Sequence, residues 1–394
     1  MGVLMGSFYV ADVTLFDGAR VRAHQGVLVR GDRIVWVGSH ARAPGDAAAA
    51  RAVDGEGRTL TPGLIDCHVH LAMDGSADFA GEGSALTPVR ATLKSTANLR
   101  RHLEAGVTSV RDLGGPTSCE VARAVDDGLI PGPRVVAAGL ALTITGGHGH
   151  NVGFAREVDG ADGVRKAVRE EIRAGASAIK VVATGGVLTP GIDATFTAFT
   201  PEEIGAAVDE AHKWGRRVAA HAIGAPGVLG SVQAGVDGVE HCHQLTQEAA
   251  REMVARGTFR GPTLCAGRGI VDHPASVPSY AVEKARGLHD DSMRSLRRAL
   301  RAGVRHVVST DAGTPYNPHG SAAREIAYLV EWGMSPLHAM VAATAHGAEN
   351  LGLRDVGRVA PGYLADLAMW DANPVEDPGA LAKPRAVWKA GVRV

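Results

Sequence analysis

The first sixty residues run as short apolar stretches, at 9–15, 26–30 and 33–38, divided by the turn pairs Asp17-Gly18 and Gly31-Asp32. Such β-branched runs bounded by Gly and Asp predict antiparallel strands, and no helical period accompanies them. After Pro62-Gly63 the rhythm changes. Apolar stretches near 64–70, 107–113, 134–141, 178–184, 217–223, 237–242, 259–264 and 306–312 alternate with amphipathic segments, for example 164–174 and 201–214. Eight strands separated by helices predict βα units around a parallel sheet, and their span of roughly 290 residues suits a (β/α)₈ barrel. Beyond Leu353 strand patterns return at 367–370 and 386–391. The expected fold is α/β: a barrel over 62–353 and a small β-sandwich formed by both chain ends, 1–61 and 354–394. No internal repeat, low-complexity segment or long linker interrupts this plan.

Polar residues interrupt the apolar strands at particular places. In Leu64-Ile65-Asp66-Cys67-His68-Val69-His70-Leu71 two imidazoles stand two residues apart, so on a strand they share a face and can bind one metal ion. Lys180 sits inside Ala178-Ile179-Lys180-Val181-Val182, His221 inside Ala219-Ala220-His221-Ala222, and His241 follows Val239-Glu240. Asp311 closes Val307-Val308-Ser309-Thr310-Asp311. All fall at the carboxyl ends of expected strands, where barrel active sites lie. Singly, each has an ordinary explanation: a buried histidine is commonly a satisfied core residue, and an aspartate at a strand end commonly caps a helix. A lysine within an apolar strand is harder to place, because its ammonium must be paired, discharged or chemically modified. Six such positions at one end of successive strands argue for a site.

Composition narrows the partners. With 394 residues, 45% hydrophobic and 21% charged, and a formal net charge of −1, the chain has no electrostatic reason to bind nucleic acid or a membrane surface. Arg294, Arg297, Arg298 and Arg301 read as a solvated helix face. Cys67, Cys119, Cys242 and Cys265 show neither zinc-ribbon spacing nor a disulfide pattern, which suits a reducing compartment. Cys242, beside His241, reads as a packed thiol rather than a ligand. The start, Met1-Gly2-Val3-Leu4-Met5-Gly6, lacks the features of a signal peptide, and no apolar run is long enough to cross a bilayer. A cytoplasmic protein acting on a small molecule is expected.

The chain resembles the amidohydrolase superfamily along nearly its whole length. The resemblance rests on Thr61-Pro62-Gly63-Leu64-Ile65-Asp66-Cys67-His68-Val69-His70, the isolated Lys180, His221, His241 and Ser309-Thr310-Asp311-Ala312-Gly313. The tail Pro361-Gly362-Tyr363-Leu364-Ala365-Asp366-Leu367 is similar to that family's return to its sandwich. Ser109-Val110-Arg111-Asp112-Leu113-Gly114-Gly115, Thr145-Gly146-Gly147-His148-Gly149, Thr184-Gly185-Gly186-Val187 and Asp311 through Gly320 look like the prolidase-like (imidazolonepropionase-like) branch.

That resemblance implies two divalent ions, best zinc. His68, His70 and Asp311 would hold one and His221 and His241 the other, with a carboxylated Lys180 bridging them. It further implies attack by a metal-bridging hydroxide on the amide of an N-acyl amino acid or dipeptide-like substrate, with Asp311 as proton carrier, and assembly as a homo-oligomer. His148 would hold the carbonyl oxygen or a substrate carboxylate; its alternative is a histidine that stabilises its loop. Two departures matter. Ile223 stands where many dipeptidase-like relatives have Tyr or His, which removes a hydrogen-bond donor and leaves room for a more apolar substrate. Gly224 stands where the family's deaminases carry a glutamate, which disfavours deamination. Lactone, carbamate or phosphoester hydrolysis remains an alternative for the same centre. A non-catalytic scaffold is the alternative from another class, and it expects ligand positions to have been lost.

Overall fold

The computed structural model describes residues 6–394; residues 1–5 of the amino-terminal stretch considered above lie outside the described residues. Five strands come first: β1 (Phe8–Phe16), β2 (Val21–Arg30), β3 (Arg33–Ser39), β4 (Arg51–Asp54) and β5 (Thr59–Pro62). Two 3₁₀ turns, His40–Arg42 and Gly45–Ala49, interrupt a region expected to be strand and turn alone. Nine parallel strands follow: β6 (Leu64–Val69), β7 (Val107–Asp112), β8 (Arg134–Ala137), β9 (Ala141–Thr143), β10 (Ala155–Glu157), β11 (Ala178–Val182), β12 (Arg217–Ala222), β13 (Gly238–His241) and β14 (Phe259–Gly261). The chain closes with β15 (Leu367–Trp370), β16 (Ala386–Lys389) and β17 (Val392–Arg393).

The terminal strands form one sheet in the order β17-β16-β15-β5-β1-β2-β3, with β4 also paired to β1. Its outer strands meet through one segment. Ala365 N–H donates to the Asp32 carbonyl at 2.8 Å, and Gly391 N–H donates to the Ala365 carbonyl at 3.0 Å. A curled sheet satisfies its edges and encloses one core, here Phe8, Val10, Leu15, Val27, Leu367, Met369 and Trp388.

The barrel strands lie in two hydrogen-bonded groups, β6-β7-β8 and β10-β9-β11-β12-β13-β14. Ser177 N–H donates to the Ala137 carbonyl at 2.8 Å across one junction. At the other, Val307 N–H donates to the Arg260 carbonyl at 3.0 Å and Cys67 N–H to the Val308 carbonyl at 2.8 Å. The segment expected as the eighth strand therefore lies between β14 and β6, but it makes isolated bridges rather than a regular strand. The segment's end leaves strand geometry: Asp311 has φ +57°, a left-handed conformation that breaks strand pairing. Thr263, with φ +54°, ends β14 early and begins the helix Leu264–Val271. Gly139, with φ +69°, divides the expected strand 134–141 into β8 and β9.

The expected helices stand at Ala161–Arg173 and Pro201–Lys213. The second begins at a capping box, in which the Thr200 side chain accepts from Glu203 N–H while the Glu203 carboxylate accepts from Thr200 N–H, with Pro201 in the first turn. Arg294, Arg297 and Arg301 face solvent on the helix Ser279–Ala302 as expected, whereas Arg298 is half-buried and donates to the Leu245 carbonyl. Among the described residues no helix is long and apolar enough to cross a membrane.

Candidate metal centre and active site

Every residue picked out as chemically active lines one cavity at the carboxyl ends of the barrel strands: His68, His70, His148, Lys180, His221, Ile223, His241 and Asp311. Five imidazoles run through it as a contiguous arc. Ring centres are separated by 5.3 Å from His70 to His68, 5.5 Å to His241, 4.5 Å to His221 and 4.7 Å to His148. His68, His70 and Asp311 each present one ligand atom, and these atoms lie within 4.8 Å of one another. Asp311 Oδ1 is 3.3 Å from His68 Nε2 and 3.2 Å from His70 Nε2.

The backbone brings these groups together at some conformational cost. His241, Cys242, Thr263 and Asp311 all have positive φ, which is uncommon for residues other than glycine and clusters at functional sites. Side chains hold them there. Asp66 accepts from Thr310 N–H at 3.0 Å and from Thr310 Oγ1 at 2.6 Å, fastening the last segment to β6. Asn317 Nδ2 donates to the Thr310 and Asp311 carbonyls at 2.7 and 2.9 Å. Gly313 (φ +104°) passes close behind, where an added Cβ would lie 2.8 Å from the His70 carbonyl oxygen. Cys242 is packed in the core as expected, placed there by the turn of the backbone just after β13 ends.

Each imidazole has one nitrogen tethered, which orients the other. His68 Nδ1 lies 3.2 Å from Glu240 Oε2, His70 Nδ1 lies 3.3 Å from the Gly114 carbonyl, and His221 Nε2 lies 2.7 Å from the Gly185 carbonyl. His241 Nδ1 is 2.7 Å from Thr263 Oγ1, which donates its own proton to the Pro262 carbonyl at 2.8 Å. The threonine must then accept from His241, so Nε2 keeps a lone pair, the tautomer a metal needs. His148 differs. Its Nδ1 is 2.6 Å from Thr189 Oγ1, which accepts from Gly149 N–H at 3.2 Å and has its hydroxyl proton to give. Donation to Nδ1 leaves Nε2–H as a donor, suited to an oxygen rather than a metal. Gly186 makes room for this ring: a Cβ there would lie 2.4 Å from it.

Lys180 is 4% exposed, and its Nζ has no hydrogen-bond partner. Burial lowers its pKa to about 8, against the pull of Glu240 and Asp311. Burial, then the Lys180 charge, brings His148 down to about 3. Burial likewise holds His68, His221 and His241 well below the ordinary 6.5. The carboxylate of Asp311 is held below its usual range because His68 and His70 outweigh burial. Neutral imidazoles, a carboxylate and an orphaned amine fit divalent metal ions.

Glu240 and Arg111 escaped the sequence reading. Arg111, fully buried, donates from its guanidinium to Glu240 Oε1 at 2.7 Å and from Nε to the Cys67 carbonyl at 2.8 Å. The signal that revealed Lys180, a charge inside an apolar strand, was present in Val110-Arg111 and Val239-Glu240 too.

These shifts give acid sensitivity. An imidazole near 6.5 when unfolded, but held far lower when folded, contributes stability that is complete above 6.5 and lost as pH falls toward the folded value. Asp66, Asp112 and Glu325, which burial pushes up to about 7, act oppositely: their contribution is present at low pH and lost as pH rises through 7. The depressed imidazoles, with His102, His243, His306 and His319 added, outnumber them. The urea midpoint of chelator-treated protein should therefore fall between pH 6.5 and pH 4.5. A midpoint that holds or rises across that window would contradict this balance.

Comparison with known proteins agrees with the geometry. Residues 59–394 match the model of the Amidohydrolase family. Ochratoxinase of Aspergillus niger is 33% identical over 413 residues, covering 95% of this chain and 83% of the relative. A prolidase solved with N-methylphosphonate-L-proline superposes with a TM-score of 0.90 at 32% identity, covering 98% of this chain and 99% of that one. A Xaa-Pro dipeptidase with methionine bound in its active site gives 0.89 at 30% identity, with the same coverage. The chain belongs to the amidohydrolase family, in its prolidase-like branch, and is a hydrolase.

Proposed function

We propose that this protein hydrolyses the amide bond of an N-acyl amino acid or dipeptide-like substrate at a centre for two divalent metal ions, best zinc. The observation that carries the reading is Lys180 Nζ, buried and without a hydrogen-bond partner in a cavity of oriented imidazoles. A lysine amine drawn down to about 8 has a substantial neutral fraction, which can add to carbon dioxide: the N–C bond forms, a proton leaves, and a carbamate anion results. His68, His70 and Asp311 would hold one ion, His221 and His241 the other, and the Lys180 carbamate would bridge them. When bound, such a pair lowers the pKa of a shared water and polarises the scissile carbonyl.

The remaining work falls to the chain. Asp311, whose Oδ1 lies 3.3 Å from His68 Nε2 and 3.2 Å from His70 Nε2, would take the nucleophile's proton and return it to the departing amine nitrogen. His148 Nε2–H donates to the carbonyl oxygen. Glu240, itself held by Arg111, orients His68. Glu240→Gln should therefore weaken zinc binding by roughly 10–100-fold, the usual cost of losing a carboxylate behind a metal-binding histidine. Competition with a chromophoric chelator measures it, and unchanged affinity would remove Glu240 from this role.

Ochratoxinase and the prolidase support an amide as the bond cleaved. The test is a panel of N-acyl amino acids with free and with capped carboxyl ends, dipeptides, lactones, carbamates and phosphoesters offered to zinc-reconstituted protein. Amides should be cleaved fastest, and a preference for any other class would overturn the assignment. Four free thiols suit a cytoplasmic setting, and a homo-oligomer is part of the same proposal.

A further inference from the structure

Resting on the amide-hydrolase reading, we infer that the pocket selects substrates whose groups on either side of the scissile bond are apolar and uncharged. These would be N-acyl amino acids with the carboxyl end capped, or acylated apolar amines, rather than free acids or dipeptides with a free ammonium. The walls above the metal cluster carry the argument. Ile223 packs with Leu288 and Val187 in one buried cluster, and Val187 and Leu188 continue it into a second with Ile270. On the other side Phe154 lies 5.0 Å from the His70 ring, with Phe79 beyond it at 5.8 Å.

Fixed charge on these walls is scarce and already offset. Among the described residues lining the cavity beyond His68, His70, Lys180, His221, His241 and Asp311, the one permanently charged side chain is Arg268. Two carboxylates already offset its charge: Nε donates to Asp272 at 3.2 Å and Glu331 lies 3.8 Å away, with the Tyr328 ring 5.1 Å beneath. Lys284, which approaches from behind, spends its ammonium on the carbonyls of Gly186, Thr189 and Ile192. That anchors the segment that presents Val187 and Leu188 and leaves no cation for a ligand. What remains polar, such as Ser292 and His289, can hydrogen-bond a neutral carbonyl or hydroxyl. A substrate carboxylate or ammonium laid on such walls would lose its hydration and meet neutral polar groups only, with no free counter-ion to offset the loss.

The test separates binding from chemistry. N-benzenesulfonyl-leucine and its dimethylamide differ at one end in charge, and a sulfonamide in place of the scissile amide prevents cleavage there. Calorimetric titration of each into zinc-loaded protein should show the dimethylamide binding at least tenfold tighter. Equal or tighter binding of the acid, or no binding of either at millimolar concentration, would overturn the inference. Hydrolysis of the corresponding N-benzoyl-leucine dimethylamide is measured separately: its failure alongside tight sulfonamide binding would sink the amide-hydrolase reading and leave the neutral pocket standing.

Discussion

Lys180→Ala should leave a folded protein with no measurable hydrolysis, a loss of at least about 10⁴-fold if both ions depend on the bridge. The substitution removes a side chain that is 4% exposed and has no hydrogen-bond partner, so no polar contact of the fold is broken. Replacing a buried four-carbon stem by a methyl group leaves a cavity, and a moderate fall in stability is expected from that alone. Activity and stability must therefore be read together. If the bridge is a carbamate, a short-chain carboxylate such as propionate, small enough to enter the cavity left behind, should restore part of the rate. Full activity in the alanine variant would remove Lys180 from the centre.

Asp311→Asn should lower turnover by about 10²-fold or more, the range for lost general acid–base catalysis. The amide keeps the size of the side chain and a carbonyl oxygen beside His68 and His70, but it cannot accept a proton at neutral pH. Asparagine also tolerates the left-handed backbone at this position, where φ is +57°, so the turn carrying it should survive. Metal content measured on the same sample separates the two roles of the residue. Near-normal turnover with metals retained would make Asp311 a ligand and no more.

The legible part of this molecule is the part written in short-range pattern. Apolar runs between turn residues place β6, β7, β11, β12 and β15 within a residue or two, because burial on both faces leaves few other ways to use them. The site was readable for the same reason turned round: a histidine or lysine stands out inside a strand that should be apolar, as at His221 and Lys180. Illegible were the features decided by tertiary contact. The strand expected at 306–312 is spoiled by the left-handed Asp311, a conformation imposed by Asn317 and by Asp66, 245 positions upstream, through their hydrogen bonds to this segment. The tautomers of His148 and His241 depend on what Thr189 and Thr263 do with their hydroxyl protons. The helix Phe79–Ser84, capped by Asp78, sits inside a loop whose course no local pattern specified.

The central claim, a two-metal centre built on these six side chains, is tested most directly by metal titration with activity as the readout. Chelator-treated protein is given increasing zinc in the presence of bicarbonate, bound metal is counted by elemental analysis, and hydrolysis of a cleaved amide is followed at each point. Activity should rise to a plateau at about two ions per chain, with His68→Ala lowering both the count and the rate. A plateau at one ion, or full activity with none, would contradict the account.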